Sequence, residues 1–247
     1  MKVFDCVTFN GEVDHLAARI ELLDGLVDAH LVVEGTHTHQ GAERETFAHP
    51  GLIDATAGHP VSFGLADLSG YADSWARERA QRDFIGPWVT HLAEPDDLVL
   101  VSDVDEHINP YVLASAIRAT VDGPVSLGMR MLYYGLNWED VGPNPPLPRW
   151  LHPRAMRARH LPASLSALRE APQASILFGA GWHVSYTGLA EDRVRKLAQF
   201  AHTECNDDEH RQRVSVGDIS GIGPNGEQLS PVTSRDGIPD ALTRRFG

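Results

Sequence analysis

The sequence predicts an α/β fold in a single domain, and two observations carry this prediction. Apolar runs typical of buried strands alternate with segments of helical period from the N-terminus onward, which is the pattern of strands joined by helices. The chain has 247 residues, of which 42% are hydrophobic and 22% charged, and this suffices to bury one large core. The sequence contains no internal repeat or low-complexity tract that would divide it.

The composition restricts the class of ligand and the compartment. A net charge of −13 argues against a broad basic surface for nucleic acid and suits a small charged ligand held through a metal cation. Two cysteines without a CxxC pair predict free thiols rather than a disulfide framework. The N-terminus becomes polar too early for a signal peptide, and no apolar run reaches the ~20 residues of a membrane span. We therefore expect a cytoplasmic protein.

The first elements form a predicted β-α-β unit. Val3–Phe9 has the composition of a short buried strand, and Leu16, Ile20 and Leu23 recur at helical spacing. Ala29–Val33 is a second apolar run that predicts the next strand. A strand, a helix and a strand in this order favour parallel, buried strands.

The next segment predicts an irregular stretch that contains one short strand and is followed by a helix. Residues 41–72 are rich in Gly, His and Pro and predict a loop with one short strand near Val61–Phe63. Ser74 is a suitable cap for a helix that extends to about Ile85. We expect its buried stripe at Ala76, Ala80 and Phe84, and other faces at Arg77, Arg79, Gln81 and Arg82.

The second half of the chain predicts alternating elements and a distinct end. The predicted elements are a strand at Leu98–Val101, a helix at Tyr111–Thr120, a strand at Val125–Tyr133, a proline-rich surface loop at Gly142–Pro148, a strand at Ser175–Phe178 and a helix at Glu191–Phe200. After about Val214 the chain becomes rich in Gly and Pro. We therefore predict a catalytic domain at 1–214 and a wrapping tail at 215–247.

An acidic pair directly after a predicted strand indicates where the chemistry lies. Asp103 and Asp105 follow Leu98–Val101, and ligands of open α/β sheets bind beyond the carboxyl ends of strands. Residues two apart in extended backbone point to one side, so the two carboxylates can offer hard oxygen ligands to Mg²⁺ or Mn²⁺. Such an ion can stabilise a diphosphate as a leaving group. The alternative is a purely structural role, in which a solvated acidic loop caps the next helix.

Other functions remain compatible with this pair. A metal-dependent phosphoesterase or nucleotidyl transferase also uses clustered acids near a strand end, although a second acidic cluster for a two-metal site is not evident. A third possibility is a carbohydrate-binding protein without activity, which would bind sugar independently of a metal.

Seven sequence blocks occur in a characteristic order along the chain. They are FDCVTFNGEVDHLAARIELLD (Phe4–Asp24), LVVEGTHTHQG (Leu31–Gly41), WARERAQRD (Trp75–Asp83), LVLVSDVDEHINP (Leu98–Pro110), YYGLNW (Tyr133–Trp138), GWHVSYTG (Gly181–Gly188) and KLAQFAHTE (Lys196–Glu204). SDVDE after an apolar strand is similar to the DxD motif of GT-A glycosyltransferases. The seven blocks together resemble glycosyltransferase family 17, whose members include the enzyme that adds bisecting N-acetylglucosamine to N-glycans.

The resemblance implies a fold and a reaction. The fold would be GT-A-like, with a Rossmann-type mixed sheet flanked by helices. The reaction would transfer a sugar from a nucleotide-sugar, UDP-N-acetylglucosamine being the family's known donor, to a hydroxyl of a glycan or glycoconjugate. It would proceed with inversion and with Mn²⁺ or Mg²⁺ as the cofactor.

The resemblance also implies residues for the donor. Glu34 and Thr36 would lie near the base or ribose, and Arg77 and Arg82 would approach the diphosphate or brace Asp103. Arg suits phosphate because its guanidinium fork donates two parallel hydrogen bonds. The alternatives are a turn residue for Thr36 and surface salt bridges for the two arginines.

The catalytic base and a further metal ligand follow from the same resemblance. Glu191 and Asp192 match the late acidic pair that supplies a general base, although both would also favour a helix N-terminus. His202 fits the C-terminal histidine near the metal, and His183 is its competitor. The other histidines, such as His37, His39, His49 and His59, lack the spacing of a structural zinc site.

Aromatic residues in two of the blocks are candidates for the acceptor site. Trp182 and Tyr186, together with His183, would contact the acceptor, and Trp138 is a further candidate. Sugar C–H faces pack on aromatic rings, but isolated aromatic residues are more often part of a core.

Overall fold

The computed structural model describes residues 1–142, 150–172 and 175–247. The strands are β1 (Val3–Phe9), β2 (Ala29–Gly35), β3 (Val61–Ala66), β4 (Leu98–Asp103), β5 (Glu106–Ile108), β6 (Val125–Tyr133), β7 (Trp138–Asp140), β8 (Arg154–Arg157), β9 (Ile176–Ser185) and β10 (Ser230–Pro231). The helices are α1 (Val13–Leu23), α2 (Leu52–Thr56), α3 (Ser74–Asp83), α4 (Ile85–Leu92), α5 (Leu113–Ala119), α6 (Leu165–Glu170), α7 (Ala190–Leu197), α8 (Asp208–Ser220) and α9 (Asp240–Phe246).

One mixed sheet organises the molecule. Its strands follow the order β10-β7-β6-β8-β4-β1-β2-β3, and β9 pairs with β6 and β5. The four strands β4, β1, β2 and β3 are parallel to one another, whereas β8 is antiparallel to β4 and to β6. The predicted α/β class with a GT-A-like mixed sheet is confirmed.

Helices cover both faces of the sheet because the strands alternate their side chains between two cores. Val3 packs with α1, α5 and α9, whereas the adjacent Phe4 packs with α4 and α6. Strands that are buried on both faces consist of near-continuous apolar residues, which explains why β1, β2 and β4 could be recognised in the sequence. None of the helices within the described residues is long and apolar enough to cross a membrane.

Helix α3 corrects the predicted buried stripe. Gln81 and Arg82 are 0% and 3% exposed, whereas Phe84, expected inside, is 38% exposed. The Gln81 amide donates to the carbonyls of Phe9 and Val33 at 3.0 and 2.9 Å, so it satisfies backbone acceptors at the ends of β1 and β2. Asp73 rather than Ser74 caps the helix, since its carboxylate accepts the amide of Ala76.

The C-terminal part is more ordered than its composition predicts. Helix α8 continues across the predicted boundary between residues 214 and 215, and α9 packs against α1. Phe246 in α9 stacks on His15 with 4.4 Å between ring centroids. The division into a domain at 1–214 and a tail at 215–247 stays a prediction. Most of the predicted proline-rich loop, residues 143–148, lies outside the described residues.

A buried ionic network joins α1 to the parallel strands. Arg19 of α1 donates to both carboxylate oxygens of Asp5 at 2.7 and 2.5 Å, to Ser102 Oγ and to the Glu106 carbonyl. His30 contacts the same carboxylate at 2.8 Å. The side chains of Arg19 and Asp5 are both 0% exposed. Through these contacts the network fixes α1, β1, β2, β4 and β5 relative to one another.

A second buried contact between α1 and β5 involves two histidines. His15 Nδ1 lies 3.0 Å from His107 Nε2, and His15 Nε2 lies 3.0 Å from Thr187 Oγ1. Both rings are nearly inaccessible, at 3% and 0% exposure. Burial lowers the pKa of His15 from 6.5 to about 3, so the native protein holds this ring neutral.

We expect the free energy of unfolding to fall as the pH is lowered from about 7 to about 5. The unfolded chain protonates His15 near its ordinary pKa of 6.5, whereas the native chain does not, so unfolding takes up a proton. Each proton taken up contributes up to about 1.4 kcal/mol per pH unit. Urea denaturation at several pH values measures the slope. A His15→Gln variant should show a shallower slope, and an unchanged slope would contradict this origin.

Candidate active site

A deep cleft of about 1250 Å³ opens at the carboxyl ends of the parallel strands. Its wall includes Thr8 near the end of β1, Asp103 at the end of β4, Asp105 just beyond it, and residues of α3 and α7. This is the edge of an open α/β sheet at which ligands bind. The volume exceeds the 300–1,000 Å³ of most small-molecule sites. The cleft can therefore hold an extended ligand.

Asp103 is the last residue of β4 and is held by two arginines. Its Oδ1 lies 3.0 Å from Arg82 Nη2 and accepts the Thr8 hydroxyl at 2.7 Å. Its Oδ2 accepts Arg169 Nη2 at 2.8 Å. Burial opposes its ionisation, but the Arg169 and Arg82 guanidinium groups hold the pKa of this carboxyl below its usual range.

Asp105 lies two residues further on and has different partners. Lys196 Nζ of α7 is 2.6 Å from its Oδ2, and His183 Nε2 of β9 is 3.3 Å from the same oxygen. Although burial favours the neutral acid, these neighbours, Lys196 above all, keep the pKa of Asp105 well below its ordinary value. Asp105 is thus an anion in a nearly closed position, with 5% exposure.

Glu106 forms a support beneath the pair. It is fully buried and accepts the Asp103 amide at 2.7 Å. It also accepts Arg169 Nη2 at 2.6 Å and the Trp150 indole N–H at 2.5 Å. Because Arg169 bridges Glu106 and Asp103, it orients the Asp103 carboxylate at the wall of the cleft.

The two aspartates share the cleft for a reason other than the expected one. β4 ends at Asp103, and residues 104–105 form a turn, so the backbone is not extended through Asp105. The Thr8 carbonyl accepts the Val104 amide at 3.1 Å, and the Asp105 carbonyl accepts the Val184 amide at 2.9 Å. The turn therefore lies between β1 and β9, which places both carboxylates on one wall.

The charges around the aspartates nearly balance. Arg82, Arg169 and Lys196 supply three positive groups, and these contact four carboxylates, those of Glu78, Asp103, Asp105 and Glu106. The cluster consequently has no excess of positive charge for an anionic ligand. Two hard carboxylate donors fit Mg²⁺ or Mn²⁺, which bind proteins through one or two carboxylates and take further ligands from phosphate and water.

The predicted trio Asp103, Asp105 and His202 does not form a three-ligand cluster. Among the described residues, one group of three or more His, Cys, Asp and Glu side chains has its ligand atoms within 4.8 Å of one another, and it comprises His202, Glu204 and Cys205. His183, the competitor of His202, is the histidine that contacts Asp105. The metal-binding role of Asp103 and Asp105 stays a prediction.

About half of the other predicted site residues line the cleft. Its wall contains Arg82, His183, Tyr186, Asp192 and His202 in addition to the two aspartates. The predicted residues outside this wall are Glu34, Thr36, Arg77, Trp138, Trp182 and Glu191.

The expected donor residues outside the wall stabilise loops. Glu34 is fully buried and accepts the Phe47 amide at 2.6 Å and His49 Nε2 at 2.7 Å. The Thr36 hydroxyl accepts the Leu68 amide at 2.9 Å, the turn role that the sequence left open. Arg77 Nη1 donates to the His39 carbonyl at 3.1 Å.

Two of the expected acceptor aromatics also lie elsewhere. Trp182 is 5% exposed and packs in the core between the sheet and α5, so its ring is not accessible to an acceptor. Trp138 donates its indole N–H to the Asp218 carbonyl of α8 at 3.0 Å and packs against the apolar cluster that contains Tyr134 and Val214. Tyr186 remains on the wall, with Lys196 Nζ 5.8 Å from its ring centroid.

The two candidate bases occupy different positions. Glu191 is exposed and lies outside the wall of the cleft. Asp192 lines the cleft, but its Oδ2 accepts the Leu189 amide at 2.9 Å and its Oδ1 accepts Arg195 Nη2 at 2.6 Å. Asp192 therefore acts as a helix cap for α7.

Comparison with known protein families assigns the chain to a family of enzymes. The family model described as Glycosyltransferase family 17 matches residues 1–222, which include every residue of the aspartate cluster. The chain belongs to glycosyltransferase family 17. It is a glycosyltransferase of the hexosyltransferase type, and the family implies a nucleotide-sugar donor and a glycan acceptor. No curated protein matches the chain significantly.

Several wall residues of this transferase were not predicted. Arg169 and Trp150 belong to segments without a recognisable motif, and their contacts to Glu106 depend on the folded chain. Glu12 and Lys196 lie within two of the sequence blocks that resemble the family, so the resemblance could have marked them as candidate site residues. Trp150 supplies an aromatic wall at the aspartates, with its ring centroid 4.2 Å from that of His183.

Proposed function

We propose that this transferase is metal-dependent and moves a sugar from a nucleotide-sugar, UDP-N-acetylglucosamine being the first candidate, to a hydroxyl of a glycan or glycoconjugate. The observation that carries the proposal is the charge balance at Asp103 and Asp105. A diphosphate brings negative charge into a cluster whose cations are already paired with carboxylates. A divalent cation on the two aspartates supplies the missing positive charge.

Asp103 and Asp105 would hold Mn²⁺ or Mg²⁺ in this proposal. When bound, the ion stabilises the negative charge of the departing nucleoside diphosphate. Arg169 and Arg82 keep the Asp103 carboxylate in place, and Lys196 and His183 do the same for Asp105. Preorganised charges of this kind cost no rearrangement during the reaction.

We propose Glu12 as the group that takes the proton from the acceptor hydroxyl. It lines the cleft, and one of its oxygens, Oε2, accepts the Asn10 amide at 3.0 Å. Burial raises the pKa of Glu12 above its ordinary value of 4.5, which makes its carboxylate a stronger base. Both oxygens of Asp192, in contrast, are engaged in capping α7 and in pairing with Arg195.

Three single variants distinguish the carboxylates. We expect Glu12→Gln to lower kcat by about 10²–10⁴-fold, the usual contribution of a general base. Asp192→Asn should leave kcat nearly unchanged and lower stability by less than about 1 kcal/mol, because Asn keeps an oxygen that can accept the Leu189 amide and loses only the exposed ion pair with Arg195. Glu191→Gln serves as the matched control and should leave both kcat and stability unchanged. Initial rates and thermal unfolding of the purified variants provide the measurements.

The pattern of losses identifies the base. A large loss of kcat in Asp192→Asn together with a normal rate in Glu12→Gln would assign the proton transfer to Asp192. If Glu12 is the base, the rate should also fall on acidification through a pKa above that of an ordinary glutamate, because only the ionised carboxylate accepts a proton.

A donor panel tests the proposed function as a whole. The protein is incubated with UDP-, GDP- and dTDP-sugars and Mn²⁺, with a chelator in the control, and the products are separated by mass spectrometry. Release of a nucleoside diphosphate together with a glycosylated acceptor supports transfer. Release of a nucleoside monophosphate or inorganic phosphate instead would indicate attack at phosphorus and would favour a phosphoesterase or nucleotidyl transferase.

A further inference from the structure

A second group of metal-ligand side chains lies on the cleft wall, apart from the aspartate pair. The segment after α7 ends in a short 3₁₀ turn, Thr203–Cys205, that brings three different ligand types together. The potential ligand atoms of His202, Glu204 and Cys205 all lie within 4.8 Å of one another. His202 Nδ1 is 2.6 Å from a carboxylate oxygen of Glu204.

The chemistry of this group differs from that of the aspartates. An imidazole, a carboxylate and a thiolate are together the ligand set of Zn²⁺, whereas Mg²⁺ and Mn²⁺ prefer oxygen ligands. Ligand atoms around one tetrahedral Zn²⁺ stand roughly 3.5 Å apart, as follows from Zn–ligand distances of about 2.0–2.3 Å. Small side-chain rotations would therefore bring the three ligands onto one ion.

The group is accessible to an ion from solvent and from the cleft. The side chains of His202 and Glu204 are 45% and 60% exposed, so ordinary solvent reaches them. His202 and Cys205 both line the cleft, whereas Glu204 lies outside its wall.

We propose that His202, Glu204 and Cys205 bind a Zn²⁺ ion at the mouth of the cleft. Three protein ligands leave one of the four tetrahedral positions open, as in zinc sites that exchange a water or a ligand. Two of the three ligands, His202 and Cys205, are on the wall of the cleft. His202 then serves a thiolate-containing site and not the aspartate pair.

The chain is well suited to a thiol test of this site. It has two cysteines, and Cys6 is 0% exposed in the core, so Cys205 is the accessible thiol. Metal-free protein is titrated with Zn²⁺, and the rate of Cys205 alkylation is followed by mass spectrometry. We expect stoichiometric Zn²⁺ to slow alkylation. We also expect Co²⁺ in place of Zn²⁺ to give a thiolate-to-metal charge-transfer band.

Variants define the ligands. Loss of even an outer-shell partner costs about 10- to 100-fold in metal affinity, so Cys205→Ser and His202→Ala should each weaken Zn²⁺ binding by at least about 10-fold. Cys205→Ser should also abolish the Co²⁺ charge-transfer band. His210→Ala removes a neighbouring histidine outside the trio and should leave the affinity unchanged.

Asp105→Asn separates this site from the aspartate pair. Zn²⁺ affinity and protection of Cys205 should persist in that variant, whatever happens to sugar transfer. Zn²⁺ binding that survives both Cys205→Ser and His202→Ala, or that is lost in Asp105→Asn, would overturn the proposal. The failure of the proposed transferase function alone would leave these outcomes unaffected.

Discussion

Replacing Asp105 with Asn should lower sugar transfer by at least about 10²–10³-fold while the protein remains folded. The substitution retains the size of the side chain but removes one of the two carboxylates that would hold the divalent cation. Loss of a single preorganised group that stabilises charge in a transition state typically costs this much. Initial-rate assays with saturating Mn²⁺ measure the effect, and circular dichroism checks the fold.

A matched control is Asp122→Asn, which alters an exposed aspartate outside the cleft and should leave the rate unchanged. The Asp105→Asn variant should also require more Mn²⁺ for half-maximal residual activity. Turnover close to that of the unaltered protein would show that Asp105 is not part of the catalytic site.

Replacing Arg19 with Met should lower the free energy of unfolding by about 3–5 kcal/mol, because it leaves the buried Asp5 carboxylate without its ion-pair partner. Asp5, which is 0% exposed, would lose both hydrogen bonds from the guanidinium group and would retain its contact to His30 Nδ1. The Glu106 carbonyl and the Ser102 hydroxyl would lose a donor as well. Urea denaturation measures the change.

The control for Arg19 is a surface pair of the same type. Arg159 pairs with Asp96 at 2.6 Å, but the two side chains are 41% and 68% exposed. Arg159→Met should cost no more than about 1 kcal/mol because solvent screens exposed pairs. A double variant, Asp5→Asn with Arg19→Met, should recover part of the loss. If Arg19→Met costs as little as Arg159→Met, the buried network does not stabilise the fold in this way.

The local sequence was sufficient to predict the strands that are buried along their whole length. Strands β1, β2 and β4 were recognisable because both of their faces are covered by helices, so most of their residues are apolar. Strand β8 was missed because it reads Arg-Ala-Met-Arg, in which the arginines look like surface residues. In the folded chain Arg154 and Arg157 are 4% and 8% exposed and donate to backbone carbonyls of distant segments.

The site could be predicted in part for the same reason. The aspartates were placed by their position directly after a buried strand, which is a local signal. Their partners Arg169 and Lys196 are 66 and 91 residues away from the carboxylates they contact, so only the topology brings them together. The same long-range packing buries Trp182 and engages Glu34 with a loop, so neither side chain lies on the wall of the cleft.

The measurement that tests the account most directly is a calorimetric titration of the purified protein with UDP, with and without Mn²⁺, repeated on Asp105→Asn. We expect UDP to bind in the presence of Mn²⁺, to bind far more weakly without it, and to lose the Mn²⁺-dependent part in the variant. If UDP does not bind, GDP and dTDP should replace it with the same dependence. Equally tight nucleotide binding with and without Mn²⁺, or in Asp105→Asn, would contradict a metal–diphosphate site at the two aspartates.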